Sequence, residues 1–334
     1  MNSAAVTYLS SPWNHLRAVR AWAAENGAHT SIDASSYRIE IRAHNRYFTL
    51  HPKFYARTDA GWCYVADVAA ENVCGFAGWL PYRTVQWPLS SDKRAFDAFA
   101  RRAGLRRPAV WAEDAEPDDW YLVKAARGSF GDQVAGPFSP RSPRSPRPPL
   151  GDETFREAYV PGRALKVWFW GARPFFAQLE ERPEVVGDGA RSVLELLPAS
   201  DVQRTGDDAT LSACLAFQGL EPHAVLPAGK RAWIDFRYGR RIAPRADTTV
   251  SDDVLPSLHT LAREQVDRLG AALWTELEPM FGVPMLCSAD GVLDADHQVW
   301  WLEVNSNPTL PPDGYPLVLG TLFPPAPRAA EVPA

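Results

Sequence analysis

An α/β fold of the α+β kind, divided into several units, is the class this sequence predicts, and three observations predict it. The 334 residues exceed one ordinary domain and suggest two, or three small ones. Within the first ninety residues one helical pattern is followed by several short strand patterns. From Phe155 the chain turns strand-rich before a long helical pattern and an acidic hairpin near the C-terminus. Hydrophobic residues make up 46% and charged residues 22%, an ordinary globular balance with material for a core. The net charge of −5 argues against a general nucleic-acid or membrane-surface binder, because no basic excess exists to attract phosphates. No apolar run reaches membrane-spanning length, and the N-terminus lacks a basic-then-apolar leader pattern. Cys63, Cys74, Cys214 and Cys287 are widely spaced with no C-x-x-C pair, which reads as buried thiols in a reducing compartment and predicts a cytoplasmic protein.

Taken in order, "PWNHLRAVRAWAAENG" predicts a helix with Trp13, Leu16, Val19 and Trp22 on its apolar face and Gly27 as its stop. Strands are predicted at 37–41, 46–50, 62–68 and 83–88. "SSDKRAFDAFARRAGL" predicts a second helix capped by Ser91, with Phe96, Phe99, Ala100 and Ala103 inward and Gly104 at its end. "WYLVKAARGSFGDQV" reads as strand, glycine turn, strand. Residues 136–152, with repeated Ser-Pro-Arg, predict an extended, mobile connection whose Arg141, Arg144 and Arg147 are solvated or meet an anion. "FREAYV", "ALKVWFWG" and "RPFFAQLE" are strand patterns. A Gly-Asp-Gly turn and a helix with Ser192 and Glu195 at capping-box spacing follow. "VLPAGKRAWIDFRYGRRI" suggests a hairpin, and a helix from about Asp252 carries Leu255, Leu258, Leu261, Val266 and Leu269.

The chemistry concentrates in two places. In "WWLEVNSNP" (300–308) strand alternation sends Leu302 and Val304 one way and Glu303 and Asn305 the other. With a four-residue loop at 295–298, Asp290 faces Glu303 and Leu293 faces Trp300. Opposed carboxylates roughly 5 Å apart at Cβ repel, and a hard divalent cation relieves this, with Asn305 as third oxygen. The alternative is a slipped register with hydrated acids. Asp294 and Asp296 read as turn residues. In "YLVKAARGSFG", Lys124 ends a strand of apolar residues, a costly place for an ammonium unless an anion meets it. Gly128, Ser129 and Gly131 follow and suit a phosphate clamp, although an ordinary surface loop has the same composition. His51, His223 and His297 show no partner pattern for zinc or a nucleophile triad.

Together these residues resemble the ATP-grasp superfamily of carboxylate–amine ligases, over roughly residues 88–312. "SSDKRAFDAFARRAGL" looks like the family's first ATP lysine, Lys93, and "YLVKAARGSFGDQV" its second, Lys124, with the phosphate loop Gly128, Ser129 and Gly131. "FREAYVPGRALKVW" resembles the hinge, where backbone groups from Glu157 through Tyr159 to Val160 would read adenine. "DGVLDADHQVWWLEVNSNP" looks like the metal hairpin with Asp290, Glu303 and Asn305. "PEVVGDGARSVLELL" and "VLPAGKRAW" are similar to the cyanophycin-synthetase and glutamate-ligase branch, while "ARGSFG" and "LEVNSNP" also resemble tubulin-tyrosine-ligase-like proteins. The chain departs from the pattern at Ala164, where relatives place a ribose-binding glutamate, and at Ser288, where others place arginine. "DFRYGRR" replaces the usual substrate-facing stretch, and the proline-rich tract stands where relatives commonly have a helix.

The resemblance implies an ATP-grasp fold: a mixed N-terminal unit (1–89), a central subdomain (90–155), a C-terminal subdomain (156–325) and a tail (326–334), the two subdomains enclosing ATP. It implies ATP and magnesium, with manganese as a substitute, and an ADP-forming ligase that activates a carboxylate as an acyl phosphate and joins it to an amine. Arg237, with Arg240 and Arg241 as rivals, is the expected cation for the tetrahedral intermediate. The expected partners are small-molecule or peptide carboxylates and amines, with no nucleic acid and no membrane; a homodimer is left open. Competing readings are an ATP-grasp kinase acting on a small-molecule hydroxyl and a catalytically silent nucleotide-binding module.

Overall fold

The computed structural model describes residues 11–59, 61–112, 114–127, 134–141, 150–151, 153–180, 182–197, 208–236 and 253–324. Its first helix, α1 (Pro12–Glu25), is entered through Pro12 in the first turn, where a missing N–H costs nothing. The buried face is His15, Val19, Trp22 and Ala23, whereas Trp13 is 74% exposed. The predicted apolar stripe is therefore off by part of a turn. His15 takes the central position because its Nδ1 lies 2.8 Å from the Tyr315 hydroxyl, so a polar ring fits the core.

Strands β1 (His29–Ile32), β2 (Ile39–Ala43), β3 (Arg46–Thr58) and β4 (Gly61–Val65) pair in that order, and β5 (Val73–Leu80) pairs with β3. Strand β3 is far longer than the predicted 46–50, running on through Pro52 and Lys53. No strand forms at 83–88. There the backbone of Val85 is held instead by the Asn307 carboxamide, which accepts from its N–H at 2.9 Å and donates to its carbonyl at 2.5 Å. A distant side chain thus replaces a sheet partner. The helix tip α2 (Pro88–Ser91) precedes α3 (Lys93–Arg102), whose cap is Asp92, not Ser91: its carboxylate accepts from the Arg94 N–H at 2.8 Å. Phe96, Phe99 and Ala100 are buried as the spacing predicted.

A second sheet has the order β6 (Val110–Trp111), β9 (Thr154–Ala158), β7 (Tyr121–Ala125), β8 (Val134–Phe138), all antiparallel. Residues 136–138, predicted as the start of a mobile tract, are strand. Residues 142–149 and the loop at 128–133 lie outside the described residues. The third sheet runs β11 (Arg173–Glu180), β10 (Arg163–Trp170), β14 (Leu286–Leu293), β15 (Val299–Ser306). Strands β12 (Glu184–Val186) and β13 (Arg231–Trp233) pair with one another, so "RAW" joins a distant strand; the second half of the expected hairpin, 237–242, lies outside the described residues. Helix α4 (Val193–Leu196) opens on the predicted capping box: the Ser192 hydroxyl accepts from the Glu195 N–H, and the Glu195 carboxylate accepts from the Ser192 N–H. Helix α5 (Asp208–Phe217), not anticipated from the sequence, follows.

Helix α6 (Thr260–Phe281) begins later than expected. A short 3-10 turn takes Leu255–Ser257, His259 caps α6, and Gly282 ends it in the left-handed region at φ 64°. Its buried stripe of Ala262, Val266, Leu269, Leu273 and Leu277 packs on one face of the third sheet, against Leu165, Val167, Phe169, Cys287, Ala289 and Val304. Phe96, Phe99 and Ala100 of α3 join the same core. Gly270 lets the helix approach closely: a Cβ there would stand 2.2 Å from the Ala172 carbonyl oxygen. Gly270→Ala is expected to destabilise the protein by about 1–3 kcal/mol through overpacking. Thermal or denaturant unfolding measures this, and a loss within experimental error would refute the close packing. The last helix, α7 (Tyr315–Leu322), returns to α1 and the first sheet, where Tyr315, Val318 and Leu319 are fully buried. Of the four free cysteines, Cys214 and Cys287 are buried, but Cys74 is exposed and Cys63 half-buried, contrary to expectation. No helix among the described residues is long and apolar enough to cross a membrane.

Candidate active site

The third sheet has one apolar face, on α6, and one polar face. Strand alternation and register put Lys166 and Trp168 of β10, Ser288 and Asp290 of β14, and Glu303 and Asn305 of β15 on the polar side. Asp290 is paired directly with Glu303, as the sequence predicted, but by a different route. Leu293 faces Val299, not Trp300, and the turn is one residue longer, closed by the Asp294 N–H donating to the Gln298 carbonyl at 3.0 Å. A bulge then absorbs the difference. Gly291 pairs with Trp301 and Asp290 with Glu303, which leaves Leu302 as the extra residue on β15. The bulge allows Trp301 and Val304 to enter the same core while Glu303 keeps its place opposite Asp290. Asp294 is a turn residue, accepting at Oδ1 from the N–H groups of Asp296 and Gln298.

Two carboxylates facing across a hairpin must be balanced, and here lysines do it. Lys93, the first residue of α3, reaches Glu303 with Nζ 3.1 Å from Oε2. Lys166 donates to Asp290 Oδ1 at 2.6 Å, and the Asn305 amide donates to Asp290 Oδ2 at 2.7 Å. Burial pulls the Lys166 ammonium down, but Asp290, helped by Glu303 and Glu180, more than offsets it and keeps the group above its usual range. Position 288, where the resemblance places arginine, holds a fully buried serine. The cation on this face comes from the neighbouring strand, as Lys166. Sequence reading missed it because its role depends on a pairing between strands more than a hundred residues apart. The only local sign was a lysine on the polar side of "ALKVWFW".

Lys124 lies in the second sheet, 6% exposed, and is ion-paired to Glu157 on β9. Glu157 also accepts from Arg107 at 3.0 Å, and Arg107 reaches Asp97 of α3 at 3.1 Å. The two predicted lysines are thereby tied to one helix. Lys93 is its first residue, Asp97 sits one turn on, and the Lys93 N–H donates to the Ala126 carbonyl just past β7 at 2.9 Å. Arg107 had no sequence signal beyond its charge. Along the predicted hinge, the N–H groups of Ala158 and Tyr159 already donate to the carbonyls of Ala109 and Trp120, each at 2.8 Å. Neither amide is therefore available to a base, and Glu157 contributes its side chain to the ion cluster. The Tyr159 ring sits among Phe217, Phe236 and Arg182. A cavity of about 330 Å³ opens beside this cluster, bordered by Lys93, Asp97, Arg107, Trp111 and Phe155. Gly128, Ser129, Gly131, Arg237, Arg240 and Arg241 lie outside the described residues.

Among the described residues no three His, Cys, Asp or Glu side chains group closely enough for a metal. The predicted set has two carboxylates and relies on the Asn305 carboxamide for its third oxygen. As donors, these oxygens fit a hard cation such as magnesium, which favours carboxylates and carboxamides over nitrogen or sulfur. What they hold in this structure is ammonium and amide groups.

An N-terminal sheet is followed by two antiparallel sheets joined through residues 159–162, and the candidate lysines and acids lie on their strands and on α3. No family model matches the chain, and no curated protein matches it. Among solved structures, a bifunctional glutathione synthetase from Pasteurella multocida is similar at TM-score 0.45 and 13% identity, over 96% of this chain and 44% of that one. A D-cycloserine synthetase, DcsG, is similar at TM-score 0.36 and 14% identity over 70% of each chain. A D-alanine–D-alanine ligase from Bacillus anthracis is similar at TM-score 0.32 and 11% identity, over 65% of this chain and 57% of that one. The chain thus spans less than half the length of the synthetase and just over half that of the D-alanine ligase. At these scores the likenesses carry no weight for the chemistry, and they do not separate one branch of the superfamily from another.

Proposed function

We propose that this protein is an ATP-dependent, ADP-forming ligase that activates a carboxylate as an acyl phosphate and joins it to an amine. The observation that supports it most is the meeting of Lys93 and Glu303 at the head of the Asp290–Glu303 hairpin, with Lys124 tied to the same helix. In this reading Lys93 and Lys124 bind triphosphate oxygens, and Asp290, Glu303 and Asn305 hold magnesium. The ion bound there supplies charge neutralisation to the transferring phosphoryl group. Lys93 and Lys166 exchange a carboxylate partner for an anionic oxygen of the reactants, so the number of charge pairs is conserved as the site fills. That exchange keeps the cost of binding low. The aromatic wall of Tyr159, Phe217 and Phe236 screens the hinge side from water, which would otherwise hydrolyse the acyl phosphate.

A panel of amino acids, peptides and small acids, paired with amines and scored for ADP and phosphate release, tests this. Release is expected only when both an acid and an amine are present, with the amide seen by mass spectrometry, and Lys124→Ala should abolish it. Phosphorus appearing in a stable product would replace the ligase with a kinase. Magnesium-dependent ATP binding without turnover on the whole panel would leave a silent nucleotide-binding module.

A further inference from the structure

We propose that Lys53, on β3 of the N-terminal sheet, and Lys166 together form the receptor for the carboxylate substrate, with Tyr64 as a cover that turns aside when the acid enters. The inference deepens the ligase reading above by giving the acid its place in the cleft.

Lys53 is 1% exposed, and among the described residues no carboxylate pairs with it. Its ammonium donates to the Asn307 carbonyl at 2.6 Å and stands 3.7 Å from the centroid of the Tyr64 ring. An ammonium has three N–H donors. One carbonyl and one ring face are meagre compensation for burying it. Burial, reinforced by repulsion from Lys166, draws its pKa down to about 7. Asp290, with Glu303 and Glu180 beyond it, answers Lys166, whereas Lys53 meets burial and a second cation, an arrangement that one further anion relieves. The groups facing this corner are Lys166 from β10, Asp290 from β14, Glu303 from β15 and Glu180 from β11, with Tyr64 from β4, Tyr55 on the same strand as Lys53, and Thr309 after β15.

The position is informative. Asn307 directly follows β15, and Lys166 touches Asp290, so Lys53 borders the candidate site from the N-terminal sheet, whereas Lys93 borders it from α3. With the triphosphate drawn to Lys93 and Lys124, the side at Lys53 is left for the acid to be activated. Tyr64 is 41% exposed, so its ring is the layer between Lys53 and solvent. Rotation of that side chain, which gives up the hydrogen bonds of its hydroxyl to Tyr55 and Thr309, would uncover the ammonium. A singly charged carboxylate matches Lys53, which no carboxylate among the described residues neutralises, with Lys166 turning to it as Asp290 engages magnesium.

The test is binding of sodium acetate and sodium succinate at pH 7 without ATP, by calorimetry and thermal shift, on the wild-type protein and Lys53→Met. Saturable binding is expected in the wild type, weakened about tenfold or more in Lys53→Met, with ATP affinity unchanged. Equal acid binding by both proteins overturns the proposal, as does the lack of saturable binding in the wild type. Inorganic phosphate binding in place of the acids also overturns it, since that assigns the cations to phosphoryl. If Lys53→Met does not fold, Tyr64→Leu is read by amine labelling and mass spectrometry. Labelling at Lys53 should rise about tenfold as the cover is lost and be blocked by acetate, and unchanged labelling overturns the cover. Acid binding that depends on Lys53, alongside no turnover with any acid–amine pair, would count against the ligase reading while sustaining the anion receptor.

Discussion

Glu157→Ala is expected to lower the free energy of unfolding by about 3–5 kcal/mol, because it strands buried cations. Glu157 is 1% exposed and is the shared anion of Lys124 and Arg107, whose side chains are 7% and 5% exposed. Arg107 keeps Asp97 as a partner at 3.1 Å, whereas among the described residues Lys124 has no other ion pair. The loss should therefore fall mainly on Lys124. Glu157→Gln keeps the shape and an acceptor oxygen and should cost less than the alanine. Denaturant unfolding followed by tryptophan fluorescence reads both variants. A change for Glu157→Ala below about 1 kcal/mol, the worth of an exposed pair, would mean that the cluster is hydrated and holds nothing together.

If the protein is the ligase proposed above, Asp290→Asn is expected to leave the fold intact and to reduce ATP turnover by about a hundredfold to a thousandfold, the cost of removing one preorganised charge from the proposed phosphoryl-transfer site. Asparagine still offers an oxygen to Lys166 and a group to Asn305, so the hairpin register should survive. The magnesium concentration for half-maximal rate should rise, because one carboxylate donor has become a weaker carboxamide. Steady-state kinetics over a magnesium series, with circular dichroism as the folding control, measures this. A change of less than about threefold would remove Asp290 from the metal site, since a change that small falls short of what a lost charged donor costs.

These two residues show how differently parts of the site could be read. Asp290 and Glu303 were legible because hairpin pairing is local, and the acids lie thirteen positions apart on one continuous stretch. Even there the loop length was misjudged. The bulge at Leu302 compensated for it, and nothing in the sequence marks Leu302 as the extra residue. Glu157 was expected to present backbone groups to a base. What no local pattern announced is its side chain, the anion of a buried cluster on which Arg107 and Lys124 converge from two other segments. The strand expected at 83–88 failed for a similar reason, since Asn307 captured the Val85 backbone from far along the chain.

By itself the sequence determined what depends on near neighbours: the inward face of α3, the Ser192–Glu195 capping box, and two acids opposed across one turn. Such features follow from fixed repeat distances along a strand or helix, which residue spacing encodes directly. The tertiary structure alone decided which cation meets which anion: Lys93 with Glu303, Lys166 with Asp290, and Lys53 with none among the described residues. Charge pairing depends on distance in space, and these partners come from strands and helices that only the folded sheet order brings side by side.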